Sequence, residues 1–220
     1  MTTIYLVRHG QTYFNRYNRM QGWSDSPLTE NGVKDAKRVG EVFKNIKFAY
    51  AASSDANRAR NTAQIILDYN LANPPKLVEI PNFRECFYGY FEGMNSPETW
   101  LLTAHQAGYR TFNDLVTNFD LDYAKDLMHQ ADPFHEAETA DQYWQRLDKA
   151  FEFLAKQVSF TSSDPVLLVT HGTTIRSIVG RYSSEKQFDL TDPPRNGSIT
   201  TIEMNQNRQI KVKDYNKLKI

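Results

Sequence analysis

Two apolar runs in this 220-residue chain stop at reactive groups in the same way. Thr3-Ile4-Tyr5-Leu6-Val7 runs into Arg8-His9-Gly10-Gln11-Thr12, and Val166-Leu167-Leu168-Val169-Thr170 runs into His171-Gly172-Thr173. An imidazole titrates near neutrality, so it can hold a proton or attack as a nucleophile at pH 7. A guanidinium is a permanent cation whose planar fork of donors suits carboxylates and phosphates. Open parallel sheets bind ligands beyond the carboxyl ends of their strands, which is where both runs place these side chains. Arg58 follows a second strand-like run at the start of a helical pattern, where the helix N-terminus and the cation both favour an anion. Two arginines and two histidines at the ends of parallel strands would make a compact phosphate pocket.

The elements that must position these groups follow from the hydrophobic pattern. Residues 13–23 are polar, aromatic and aperiodic, and read as a loop lining something. Thr29 caps a helix running to roughly Phe43, and Ala49 to Ser53 is a short strand. Ser54 or Asp55 is expected to cap the next helix, whose apolar stripe is Ala59, Ala63, Ile66 and Leu67. Prolines bracket a further extended segment, Leu77 to Ile80. This alternation predicts an α/β fold, a three-layer α/β/α sandwich whose central sheet is mainly parallel. From Met94 to about Thr139 the alternation gives way to a helical cap insertion rich in aromatic and acidic residues. Thr139 and Gln142 form a capping box for a helix to about Gln157, and a helix over 174–182 follows the strand at Val166. Ser198 to Met204 and Gln209 to Tyr215 alternate as an antiparallel hairpin around Asn205-Gln206-Asn207. The whole chain, 1–220, reads as a single domain carrying a cap insertion at about 94–139.

Composition excludes several classes of partner. Twenty-six Lys and Arg residues balance 26 Asp and Glu residues, so no generic charge draws the chain to nucleic acid or to an anionic membrane. The single cysteine, Cys86, permits no internal disulfide and fits a reducing compartment. No run approaches the length of a membrane span, and the N-terminus enters a strand without a secretory pattern, so a cytoplasmic protein is expected. Composition leaves the oligomeric state open.

In its motifs the sequence resembles the histidine phosphatase, or phosphoglycerate mutase-like, superfamily. Arg8-His9-Gly10 stands where that family carries its Arg-His-Gly signature, extended by Gln11-Thr12 and Asn15. Gln21-Gly22, Pro27-Leu28-Thr29, Ser53-Ser54 leading to Arg58-Ala59 and Thr62-Ala63, Glu85 before Tyr88-Gly89, and His171-Gly172 follow in family order. The resemblance implies attack by His9 on a phosphoryl group, giving a covalent phosphohistidine. It implies that Arg8, Arg58 and His171 bind the non-bridging oxygens, and that Glu85 protonates the leaving oxygen and then deprotonates water. Thr12, Asn15, Gln21, Gly22 and Gly172 are further candidate contacts to the phosphate or substrate. The arginines supply the positive charge, so neither a metal nor another cofactor is called for, and the partner is a small phosphorylated substrate.

Relatives of this kind hand the phosphoryl group either to water or to a second hydroxyl. Phosphoglycerate mutases carry an arginine where Cys86 stands and a lysine where Ser96 stands, followed by paired arginines in the insertion. Here the insertion offers Arg110 and Lys125 as cations against eight acids: Glu98, Asp114, Asp120, Asp122, Asp126, Asp132, Glu136 and Glu138. Such a cap is expected to repel highly anionic substrates, which favours a broad-specificity phosphomonoester hydrolase over a mutase. The remaining alternative is an inactive module that captures phosphorylated ligands. Phe87, Tyr88, Tyr90, Phe91 and Trp100 are candidates either for a ring-stacking substrate wall or for the core of the cap.

Overall fold

The computed structural model describes residues 1–184 and 187–220. Six strands are named in chain order: β1 (Thr2–Arg8), β2 (Tyr50–Ser53), β3 (Leu77–Glu79), β4 (Val166–Thr170), β5 (Ile199–Met204) and β6 (Ile210–Lys217). They form one sheet in the order β3-β2-β4-β1-β5-β6. The four strands from β3 to β1 are parallel, and β5 and β6 add an antiparallel hairpin at the far edge. The mainly parallel α/β sheet expected from the alternation is therefore present, with helices on both faces.

Strand β4 enters between β2 and β1 although it lies more than 110 residues after β2 in the chain. All five of its residues are buried, as a strand covered on both faces and paired on both edges requires. Its register sets Thr170 beside Arg8 and Val169 beside Ser53, so three adjacent strands end at one level. The residues that follow those ends, His9, His171 and the Ser54–Arg58 segment, therefore converge.

The helices are α1 (Tyr13–Arg16), α2 (Glu30–Val42), α3 (Asn57–Asp68), α4 (Ser96–His105), α5 (Phe112–Asn118), α6 (Leu121–Ala131), α7 (Ala140–Gln157) and α8 (Gly172–Tyr182). Val39, Phe43, Ala63 and Ile66 of α2 and α3 pack with Val7, Leu167 and Val169 on one face of the sheet. The other face, with Leu6 and Leu168, packs against Tyr143, Leu147 and Phe151 of α7 and Ile175 of α8. Trp100, Leu115 and Met128 belong to this second cluster, so the insertion shares one apolar core with the sheet. No helix among the described residues is long and apolar enough to cross a membrane.

Two local expectations differ from the structure. Helix α3 starts at Asn57 behind Ala56, with no side-chain cap. Ser54 and Asp55 are engaged elsewhere: the Ser54 hydroxyl meets His171, and Asp55 pairs with Arg84. The 13–23 segment holds the short helix α1, closed by a capping box between Thr12 and Asn15. The box at Thr139 and Gln142 is formed as expected. Replacing Leu168, which has no exposed surface at the centre of β4, with Ala is expected to lower stability by about 2–5 kcal/mol in urea denaturation.

Candidate active site

His9 is the first residue past β1 and is only 3% exposed. Its Nδ1–H donates to the Gly10 carbonyl at 2.9 Å, while its Nε2 accepts from Arg58 Nε–H at 3.3 Å. Those two partners define the tautomer, with the proton on Nδ1 and a lone pair on Nε2. Burial pushes the His9 pKa well below 6.5, and the Arg58 and Arg8 cations push it the same way. The imidazole is therefore neutral at pH 7, the form that a nucleophile needs. Gly10 is required by close packing: a Cβ there would lie 2.2 Å from the Gly32 carbonyl oxygen.

His171 is the N-cap residue of α8, which begins at Gly172, two residues ahead of the helix start expected from sequence. Its ring stands edge-on to that of His9, with centroids 5.3 Å apart. His171 Nε2 meets Ser54 Oγ at 2.8 Å, and Nδ1 is buried without a partner. Burial, then Arg58 and His9, likewise hold its pKa well below 6.5.

Arg58 is 1% exposed at the first turn of α3. Besides His9 it donates to the carbonyls of Ser24 at 2.9 Å and Gly22 at 2.7 Å, and it pairs with Asp25 at 3.0 Å. Arg8 donates to the Pro194 carbonyl, and its Nε is buried with no partner. Gly172 lets the Arg8 guanidinium lie against the start of α8, since a Cβ would stand 3.1 Å from Arg8 Nε. Glu85 is 5% exposed and reaches the same helix end. Its carboxylate accepts from the backbone amides of Thr173 at 2.8 Å and Thr174 at 2.9 Å, and from the Thr174 hydroxyl at 2.9 Å.

These groups meet at a cavity of about 650 Å³. Arg8, His9, Asn15, Gln21, Glu85 and Gly172 line it, while Arg58 and His171 lie behind His9. Thr12 and Gly22 do not reach the cavity. The Thr12 hydroxyl donates to Gln21 Oε1 at 2.7 Å, and Gly22 offers its carbonyl to Arg58. Of the aromatic candidates, Tyr88 and Trp100 face the cavity, whereas Phe87, Tyr90 and Phe91 are not on its walls. Among the described residues no group of three or more His, Cys, Asp or Glu side chains is gathered as metal ligands.

The acids of the insertion are turned away from the cavity, contrary to the expected repulsive cap. The Asp114 carboxylate closes the capping box of α5 by accepting from the Arg110 and Thr111 amides, Asp120 is the N-cap of α6, Asp132 accepts four backbone amides, and Glu138 pairs with Arg146. Among the described residues Glu85 is the one carboxylate on a wall that also carries Arg8, Arg19, Arg110 and Arg176. Four contributors escaped the sequence reading. Asn196 donates from Nδ2 to the His9 carbonyl at 2.9 Å and to Asn15 Oδ1 at 3.2 Å, and no spacing rule links residues 187 positions apart. Glu92 accepts from the amides of Gly22, Trp23 and Ser24, fixing the loop that Arg58 grips. Asp25 pairs with Arg58 itself. Arg176 had a local signal, lying one helical turn after Gly172 on α8.

Comparison with known proteins identifies the family of the chain. Residues 4–217 match the family model described as "Histidine phosphatase superfamily (branch 1)". A 2,3-bisphosphoglycerate-dependent phosphoglycerate mutase 2 of Gloeobacter violaceus is 37% identical over 99 residues, 45% of either chain. An uncharacterized phosphatase PhoE of Bacillus subtilis is 28% identical over 98% of this chain and 95% of its own. The crystal structure of a phosphoglycerate mutase from Bacillus anthracis strain Sterne superposes with a TM-score of 0.89 at 30% identity, covering 99% of this chain and 93% of the other.

The depressed histidine pKa values also bear on stability. The unfolded chain, whose imidazoles titrate near 6.5, takes up protons that the folded state refuses. The stability contributed by neutral His9 and His171 is complete above that pH and is lost as the pH falls below it. Urea denaturation at about pH 7.5 and about pH 5 is expected to show this loss, and His9→Asn to show a shallower one.

Proposed function

Because the chain belongs to the histidine phosphatase superfamily, we propose that it hydrolyses phosphomonoesters of small metabolites through a phosphohistidine on His9. The state of His9 carries this reading: a neutral imidazole, protonated on Nδ1, whose Nε2 lone pair sits among arginines beside an open cavity. In the first step Arg58 turns its Nε–H from His9 Nε2 to the phosphoryl group, Nε2 bonds to phosphorus as the ester P–O bond breaks, and Arg8, Arg58 and His171 bind the non-bridging oxygens, the two arginines neutralising their charge. Glu85 gives the leaving oxygen its proton, then takes one from the water that splits the P–N bond, which returns neutral His9. Asn15 and Gln21 face the cavity as further phosphate contacts, with Gly172 leaving room for Arg8. Water as the acceptor is favoured by two positions. Residue 86 is a buried thiol and residue 96 an uncharged serine on the cavity wall, where the resembling mutases carry cations.

A second reading, transfer to another hydroxyl, is favoured by the four arginines on the cavity wall and by the likeness to the Bacillus anthracis mutase. Interconversion of 2- and 3-phosphoglycerate outpacing phosphate release would select it.

Purified protein is expected to hydrolyse p-nitrophenyl phosphate in excess chelator and to accumulate acid-labile phosphoenzyme. His9→Ala should lose the phosphoenzyme and roughly 10³-fold or more of kcat/KM, and full activity in that variant would sink the mechanism. Glu85→Gln is expected to lose about 10²–10⁴-fold with alkyl phosphates and less with p-nitrophenyl phosphate, whose leaving group needs little protonation.

A further inference from the structure

The two histidines of the site are tied down through opposite nitrogens. His9 gives its Nδ1–H to the Gly10 carbonyl and keeps Nε2 for phosphorus. His171 is held at Nε2, which lies 2.8 Å from Ser54 Oγ, so Nδ1 is the nitrogen it has left for a ligand. That atom is buried and has no partner among the described residues. A buried polar atom of this kind is unfavourable until something completes it. What Nδ1 can do for a phosphoryl oxygen depends on where the ring proton is. With the proton on Nδ1 the ring donates a hydrogen bond, and with the proton on Nε2 it turns a lone pair to the oxygen and repels it.

Ser54 selects between these outcomes. It is the first residue past β2, and its amide donates to the Val169 carbonyl at 3.0 Å, which extends the pairing of β2 with β4 and sets Ser54 beside the segment that carries His171. Its side chain has no exposed surface and makes two hydrogen bonds among the described residues. Oγ accepts from the Ala56 amide at 3.2 Å, and its other partner is His171 Nε2. An amide N–H can only donate, so the one acceptor open to the buried Ser54 O–H is Nε2. Donation there satisfies the hydroxyl, and it requires an Nε2 without a proton. Protonation of both nitrogens is opposed by burial and by Arg58 and His9, which hold the ring neutral. The proton is therefore on Nδ1. A carboxylate in place of Ser54, being an acceptor only, would draw the proton to Nε2 instead.

We propose that Ser54 is a positioning residue that holds His171 in its Nδ1–H tautomer, so that the ring meets the transferring phosphoryl group with a donor. The inference rests on the phosphohistidine reading and adds a division of labour to it. Both imidazoles are neutral and carry their proton on Nδ1, yet His9 presents a lone pair to phosphorus and His171 presents an N–H to oxygen. The difference comes from what each ring is anchored to: a carbonyl that accepts at Nδ1 of His9, and a hydroxyl that donates at Nε2 of His171.

Nitrogen-15 NMR of histidine-labelled protein at about pH 7.5, with no substrate present, reads the tautomer directly, because protonated and bare ring nitrogens resonate far apart. The signals of His171 are those lost in His171→Gln. Wild-type His171 is expected to show a protonated Nδ1 and a bare Nε2. Ser54→Ala should mix the two tautomers and lose roughly tenfold to hundredfold of kcat for p-nitrophenyl phosphate, part of what one donor to the transition state supplies, with a smaller change in KM. Ser54→Thr, which keeps the hydroxyl, should retain the Nδ1–H form and most of kcat, each variant being checked for folding by its melting transition. A bare Nδ1 in wild type overturns the proposal, and so does a folded Ser54→Ala in which the tautomer or kcat is unchanged. The wild-type spectrum decides alone where Ser54→Ala does not fold. No turnover of any ester by wild-type protein would overturn the hydrolase reading, whereas the tautomer stands or falls by a spectrum taken without substrate.

Discussion

Much of the structure depends on the buried guanidinium of Arg58. It joins three things that lie apart in the chain: the His9 ring just past β1, the 21–25 loop and the first turn of α3. A cation this deep is tolerable only if its donors are satisfied. That demand explains the shape of its surroundings. The backbone of residues 21–24 turns its carbonyls inward to Arg58, and the amides left on its other side are collected by Glu92. Burial lowers the pKa of both histidines and the same cation adds to that shift, so the device that holds the loop also helps to keep the imidazoles neutral.

Strand order is the second constraint. Parallel strands with aligned ends deliver whatever follows them to one edge of the sheet, and a strand inserted between two others brings together residues from both ends of the chain. Here β4 carries His171 to within ring contact of His9, and α8 starts at once behind it. The amides at that start receive Glu85. A carboxylate, two imidazoles and two arginines are thus held by backbone geometry, with little dependence on flexible side-chain choices.

Charge is distributed in the cap by function of position. Asp114 and Asp120 serve helix ends, Asp132 collects backbone amides and Glu138 pairs with Arg146, and none of the acids between 94 and 139 is on the wall, which is how a stretch rich in Asp and Glu can enclose a cationic cavity. Counting charges along a sequence sums over both outcomes. Only the direction each side chain takes distinguishes a carboxylate that repels a ligand from one that ends a helix.

The candidate site was legible in the sequence because its signal is local. Arg8-His9-Gly10 and His171-Gly172 end apolar runs, and the period of those runs and of the helices between them is set by backbone geometry that neighbouring residues share. The same locality made the parallel sheet, the capping box at Thr139 and the terminal hairpin readable. Thr12 shows where locality stops: its type fits a phosphate contact, yet its hydroxyl is fully buried against Gln21. What only the tertiary structure decided was register and direction: β4 between β2 and β1, Asn196 on the His9 carbonyl, the acids turned out of the cavity and Arg176 left without a counter-ion. Each of these depends on contacts between residues far apart in the chain, and those contacts are selected by packing and by the need to satisfy buried polar groups, which no window of sequence contains.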